Sequence, residues 1–180
     1  MTAMNNQYSP ADDHAWQVRN GSAGGAVSPV IRDMREEDLE RIEQIEVRNF
    51  SRPWTVQDFR DFLLRDDAIF LTALCDGEIA GYIGFYGIPD EGDITNVSVD
   101  ERFRRRGIGR ALVSELISRA AAHGIGTIFL EVRDSNEAAI RLYEAEGFGQ
   151  VGLRRRYYSS PVEDARIMRY PAPAAEYSAD

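Results

Sequence analysis

The run Ile94-Thr95-Asn96-Val97-Ser98-Val99-Asp100, followed by Arg104-Arg105-Arg106-Gly107-Ile108-Gly109-Arg110-Ala111, reads as a strand entering a glycine-bearing loop that opens a helix. Such a junction suits phosphates. Main-chain N–H groups at a helix start lack intrahelical partners and carry the positive end of the dipole, so they close around an anion. Gly107 and Gly109 let the backbone come near, and the arginines add charge-assisted hydrogen bonds. Leu112 stands where the dinucleotide fingerprint needs its third glycine, and the lysine and Ser or Thr of the nucleotide-triphosphate loop are missing. A different diphosphate ligand is implied.

Glu131 follows the apolar residues Thr127 to Leu130 and so emerges at the carboxyl end of a strand, where open α/β sheets place their ligands. It is either a solvated strand-end charge or a proton acceptor. Tyr143 lies at helical spacing from Ala139 and Ile140, as a core residue or as a phenol aimed at the same crevice. Asn136 is placed to cap that helix, or to hold a ligand with its amide. Arg154-Arg155-Arg156 before Tyr157-Tyr158 reads as alternating surface and core, or as a contact with an acceptor molecule. His14, His123 and the lone Cys75 suggest neither a metal site nor a nucleophile.

The elements that must position these residues follow from periodicity. A strand near Val30 to Met34 precedes a helix from about Glu36 to Arg48, with Leu39, Ile42 and Ile45 on one side. Pro53 interrupts, and Thr55 with Asp58 starts a second helix that turns Val56, Phe59, Phe62 and Leu63 inward. Ala68 to Cys75 and Glu78 to Tyr86 form a hairpin about Asp76-Gly77, and Asp93 to Val99 is the next strand. A helix from about Gly107 to His123 carries Leu112, Val113, Leu116, Ile117 and Ala120 on one face, and Gly124 ends it. With the strand Thr127 to Val132 this makes a crossover unit whose two strands are parallel. A further helix runs from Ser135 or Asn136 to Gly147, and Phe148 to Leu153 and Glu163 to Tyr170 finish the sheet. The expected class is therefore α/β (α+β).

The chain of 180 residues, 43% hydrophobic, suits one domain over residues 28–170, with disordered tails at 1–27 and 171–180. One cysteine allows no internal disulfide, and no apolar run reaches the length of a signal core or membrane span, so a cytoplasmic protein without a membrane partner is expected. A formal net charge of -9 argues against direct nucleic-acid binding and for a basic partner. All 21 positive side chains are arginine, which gene base composition readily explains.

Taken together, Asn96-Val97-Ser98-Val99-Asp100, Arg105 to Arg110, Leu130-Glu131-Val132-Arg133-Asp134-Ser135-Asn136 to Ile140, and Leu142-Tyr143-Glu144 through Gly147-Phe148 resemble the GCN5-related N-acetyltransferases. Pro53-Trp54, Arg155-Arg156-Tyr157-Tyr158 and Glu163 to Met168 are similar to the RimI branch, which acetylates the N-terminal alanine of a small-subunit ribosomal protein. The likeness spans roughly residues 30 to 170.

That resemblance implies a mixed central sheet of about six to seven strands with a splayed parallel pair, acetyl-CoA as cosubstrate and no metal. It implies that Val97, Ser98 and Val99 pair by backbone with the pantetheine arm, that Arg105, Arg106, Gly107, Ile108, Gly109 and Arg110 hold the pyrophosphate, and that Asn136 also binds the cofactor. Glu131 matches the family's proton acceptor and Tyr143 its proton donor, while Trp54, Tyr157 and Tyr158 stand on the acceptor side. The implied partner is a protein N-terminus, from a basic ribosomal protein, met by a monomer or weak dimer. A small-amine acetyltransferase and a non-catalytic acyl-CoA sensor are the competing readings. Ser98 departs from the family's alanine, Arg52 from the phenylalanine before Pro-Trp, and Asp90-Glu91-Gly92-Asp93 is an acidic variant of the segment before the cofactor strand.

Overall fold

Asp76 and Gly77 both take positive φ, 52° and 80°, the geometry an Asp-Gly turn favours, and they join β2 (Ala68–Cys75) to β3 (Glu78–Ile88). In the computed structural model, which describes residues 28–171, this hairpin sits inside a seven-stranded sheet. β1 (Val30–Asp33) flanks β2, and β4 (Asp90–Val99), β5 (Ile125–Arg133), β7 (Val162–Tyr170) and β6 (Gly149–Ser159) follow β3 in that spatial order. The tails expected at 1–27 and 171–180 lie outside the described residues, Pro171 excepted. Among the described residues no helix is long and apolar enough to cross a membrane.

Strand alternation divides the interior into two cores. Leu71, Ile83, Phe85, Ile94, Ile128, Leu130 and Val132 pack on one face under α3 (Ile108–Ala122) and α4 (Glu137–Ala145). Phe70 and Tyr82 pack on the other under α1 (Leu39–Asn49) and α2 (Val56–Leu63). There Phe59 meets Tyr82 edge to face at 5.4 Å between ring centroids, and each fully buried side chain of this size contributes about 2 kcal/mol. Thr55 and Asp58 cap α2 reciprocally, Thr55 N donating to Asp58 Oδ2 at 2.8 Å, as the sequence predicts.

The first helix differs from expectation at its start. Glu36–Asp38 form a 3-10 turn and α1 begins at Leu39. Arg32 donates to both oxygens of the buried Asp38 carboxylate, at 2.6 and 2.7 Å, and Arg35 N donates to it at 2.8 Å. These bonds fix Asp38 outside the regular helix. Several strands are also longer than expected: β3 continues to Ile88, β4 begins at Asp90, β5 runs from Ile125 to Arg133, and β6 continues to Ser159. The acidic segment Asp90 to Asp93 is therefore part of the paired strand.

β4 and β5 are parallel, as expected, yet they pair only from Asp90↔Ile125 to Asp93↔Phe129. Beyond that point β4 stays with β3 while β5 follows β7, from Leu130↔Met168 to Arg133↔Ala165. The parting coincides with a bulge. Phe85 opposes Ile94 but Gly84 opposes Asn96, so Thr95 is surplus. A Cβ on Gly84 would lie 2.5 Å from the Phe70 ring and 2.7 Å from Thr95 Oγ1, so only glycine accommodates the bulge there.

Candidate active site

The gap between the parted strands opens into a cavity of about 680 Å3. Its two walls come from opposite faces of the sheet. Leu130 and Val132 point into the α3/α4 core, so by alternation Glu131 projects on the α1/α2 face. Tyr143, on α4, approaches from the other face, and both residues line the cavity. The structure thus brings together the two side chains singled out for proton transfer.

The Glu131 carboxylate is about a quarter exposed and pairs with Arg154 Nη1 at 3.2 Å, while the Arg154 guanidinium lies 5.5 Å from the centre of the Tyr157 ring. Tyr143 is 7% exposed and packs on Phe148 at 5.6 Å. Burial pushes its phenol well above the ordinary value, with neighbouring Tyr158 acting in the same direction, so the hydroxyl stays protonated at any working pH.

On β4, Asp100 N donates to Ala80 O at 2.9 Å, which places the main-chain groups of Ser98 and Asn96 in the β3 ladder and turns those of Val97 and Val99 toward the gap. Val97 and Val99 line the cavity. Ser98 does not: its buried hydroxyl accepts a 2.6 Å bond from Asn49 Nδ2, so the departure from alanine is absorbed by α1. Asn49 Oδ1 in turn accepts from Arg104, whose Nε reaches Val99 O at 3.2 Å.

Gly107 and Gly109 have different jobs at the start of α3. Gly107 has φ 79° with open space around it, so the helix cap needs its conformation. A Cβ on Gly109 would lie 3.1 Å from Leu142 Cδ1, so this glycine allows α3 to approach α4. Ala111 N makes the first intrahelical bond, to Gly107 O, leaving the N–H groups of Ile108, Gly109 and Arg110 without helical partners. Of this loop only Gly109 lines the cavity. Arg105 and Gly107 are exposed beside it, Arg106 stacks on Phe103 at 5.3 Å, Ile108 buries its side chain, and Arg110 is drawn to Glu146 at 2.6 Å. The main-chain N–H groups of Ile108 and Arg110 at the start of α3 and the exposed guanidinium groups of Arg105 and Arg106 thus lie outside the cavity itself.

Asn136 both lines the cavity and caps α4, its Oδ1 accepting from Ala139 N at 3.2 Å. Tyr157 and Tyr158 reach the cavity where a bulge gives β6 two surplus residues: Arg154 opposes Ala165 and Tyr158 opposes Glu163, three residues facing the single Asp164. Arg156 takes φ 52° within this bulge, and its N–H is held by Asp164 Oδ1 at 2.7 Å. Arg133 lies 4.0 Å over the Tyr158 ring and donates to Glu163 at 3.1 Å, tying the β5–α4 connection to the β6–β7 hairpin. Trp54 forms the opposing wall, packed on Phe62 at 4.7 Å and Phe59 at 5.3 Å. Asp90, Glu91 and Asp93 do not line the cavity.

Glu46 escaped the sequence reading. It lines the cavity although it has no exposed surface, and accepts from Tyr82 OH, Asn96 Nδ2 at 3.0 Å and Trp54 N at 3.3 Å. Burial pushes its carboxyl upward against the opposing effect of these donors. The signal was present: Leu39, Ile42 and Glu46 fall at i, i+3 and i+7, so a charge occupies the apolar stripe.

Residues 39–148 match the Acetyltransferase (GNAT) family. A [ribosomal protein bS18]-alanine N-acetyltransferase from Salmonella typhimurium is 39% identical over 137 residues, covering 74% of this chain and 91% of that protein. The crystal structure of the ribosomal-protein-S18-alanine N-acetyltransferase from Escherichia coli superposes with a TM-score of 0.73 at 34% identity, covering 83% of this chain and 98% of that one. NAA60 from Arabidopsis thaliana, solved in complex with acetyl-CoA, shares the fold, with a TM-score of 0.71 at 24% identity over 79% of this chain and 99% of its own. With its parted parallel strands, its glycine-capped helix and this breadth of likeness, the chain belongs to the GNAT acetyltransferase family.

Proposed function

We propose that this protein transfers an acetyl group from acetyl-CoA to the α-amino group at a protein's N-terminus, and that its acceptor is the N-terminal alanine of a small-subunit ribosomal protein in the cytoplasm. The relatives bearing the bS18-alanine name support the acceptor. The observation that carries the reading is the gap itself, with Glu131 on one wall and Tyr143 on the other.

The chain's own groups fit the cosubstrate. Val97 offers both its main-chain groups, and Val99 its N–H, to an extended arm in the manner of an added strand, while the Val99 carbonyl is held by Arg104 and Asn49. The N–H groups of Ile108, Gly109 and Arg110, with Arg105 and Arg106, suit its diphosphate, and Asn136 stands beside them. Acetyl-CoA supplies the thioester carbonyl that the amine attacks.

An α-amino group has a pKa near 7.7 to 8.0 against about 10.4 for lysine, so at neutral pH its free-base fraction is larger by roughly 300-fold. A carboxylate then suffices as base. Glu131 accepts the ammonium proton, an effect of order 100-fold. The N–H of Val97 faces the position where carbonyl charge develops. Tyr143 returns a proton to the departing sulfur, a transfer that runs uphill from so weak an acid and is therefore coupled to bond cleavage. Trp54, Tyr157 and Tyr158 hold the peptide's first residues.

The test compares Glu131→Gln with the parent, using peptides that begin with alanine and a panel of small amines. Turnover on the peptides is expected to drop about 100-fold while acetyl-CoA uptake persists. Preference for the small amines would redirect the acceptor assignment, and parental turnover by the variant would remove Glu131 from the mechanism.

A further inference from the structure

Glu46 places a carboxylate where folding alone asks for a hydrocarbon. It occupies the buried stripe of α1, and an apolar side chain of similar size would fill that site without the cost of desolvating a charge. What the carboxylate adds is three fixed hydrogen bonds to three elements. Oε2 accepts from Tyr82 on β3. Oε1 is shared by Trp54 N, in the segment between α1 and α2, and Asn96 Nδ2, next to the surplus Thr95 of β4. The first of these carries the aromatic wall of the cavity, and the second is the stretch of β4 that leaves β5.

We infer that Glu46 is a positioning residue for acetyl transfer: through Trp54 N and Asn96 Nδ2 it sets the acceptor wall at a fixed distance from the β4 main chain facing the thioester. It acts through those two groups, and the inference rests on the acetyltransferase reading above. Acetyl-CoA meets β4 and α3 on the opposite side of the gap, so Glu46 governs how the amine is presented and leaves coenzyme affinity alone.

Glutamine separates geometry from charge. Its carbonyl oxygen can keep both Oε1 bonds, and its amide can donate to the Tyr82 oxygen. Steady-state kinetics with an alanine-initiated peptide, calorimetry of acetyl-CoA binding and thermal melting are measured for Glu46→Ala, Glu46→Gln and Asn96→Ala. Glu46→Ala is expected to lower kcat about 100-fold and raise the acceptor KM about tenfold, with the coenzyme Kd within about twofold of the parent. Glu46→Gln should stay within about threefold of the parent in both kinetic constants. Asn96→Ala, which removes the β4 arm alone and spares the core if Glu46→Ala does not fold, should lower kcat about tenfold.

Parental kinetics in Glu46→Ala or Asn96→Ala would overturn the inference. So would a Gln variant as impaired as the Ala variant, which would assign the charge itself a role, or a coenzyme affinity that falls in step with kcat. A parent enzyme that releases no thiol with any amine fails earlier, and on different grounds: it removes the acetyltransferase reading, and this inference with it.

Discussion

The Arg154 guanidinium lies 3.2 Å from the Glu131 carboxylate, so under the proposed mechanism it competes there with the acceptor's ammonium group. Arg154 is half exposed, so the pair is screened and its strength is small, about 0–1 kcal/mol. Replacing Arg154 with glutamine is expected to lower the acceptor KM by up to about fivefold and leave the coenzyme Kd unchanged. Initial rates over a range of peptide concentrations check this, and an acceptor KM that rises would mean that Arg154 binds the peptide instead of competing with it.

Tyr143→Phe should reduce turnover about 100-fold or more and leave acetyl-CoA affinity intact. Its hydroxyl makes no hydrogen bond within the described residues, so the melting temperature should stay at the parental value. Calorimetry and melting are read together with the rate; a variant with full turnover would make Tyr143 a packing residue only.

Gly107→Ala should destabilise the fold by about 1–2 kcal/mol and weaken coenzyme binding, since φ 79° is strained for any residue with a Cβ. Gly126 in β5 has open space around it and no positive φ, and Gly126→Ala serves as the neutral control. Equal denaturant midpoints for the two variants would show that the helix cap tolerates a side chain.

Asp100 titrates against its arginines. The carboxyl is pushed from 3.8 to about 2: burial acts to raise it, but bonds from Arg102 N, from the Arg102 side chain and from Arg41 outweigh that effect. A carboxyl lowered on folding stabilises above its unfolded pKa and loses that contribution as pH falls through the folded one. Asp100→Asn should therefore be less stable than the parent at pH 7, by about 2 kcal/mol, with the difference closing as pH drops from about 4 toward 2. Melting curves of both proteins across that range decide it, and a gap that persists at low pH would assign the loss to packing.

Much of the scaffold could be read from local chemistry. Asp76-Gly77 specified its hairpin, Thr55 with Asp58 specified a helix start, and the apolar run to Val132 specified a central strand, because each signal lies within a few residues. What escaped depends on partners far along the chain. The bulges at Thr95 and at residues 155–157 are set by register against β3 and β7, and periodicity within one strand cannot register an extra residue in it. Glu46 finds its donors at positions 54, 82 and 96, so its role exists only once the sheet is assembled. Ser98 shows the reverse: the resemblance implies a backbone contact with the cofactor, yet its main chain faces β3 and its hydroxyl answers Asn49 across the fold.

Because Thr95 is one residue in excess, Ile94 and Asn96 on either side of it keep adjacent partners, Phe85 and Gly84. Deleting it would leave Asn96 to Val99 opposite the same β3 residues and on the same faces, but would remove the kink at which β4 turns from β5. A strand drawn straight there would run on beside its parallel neighbour and shut the slot. Thr95 is thus a wedge: it pairs with nothing across the ladder, and its worth lies in the room it makes.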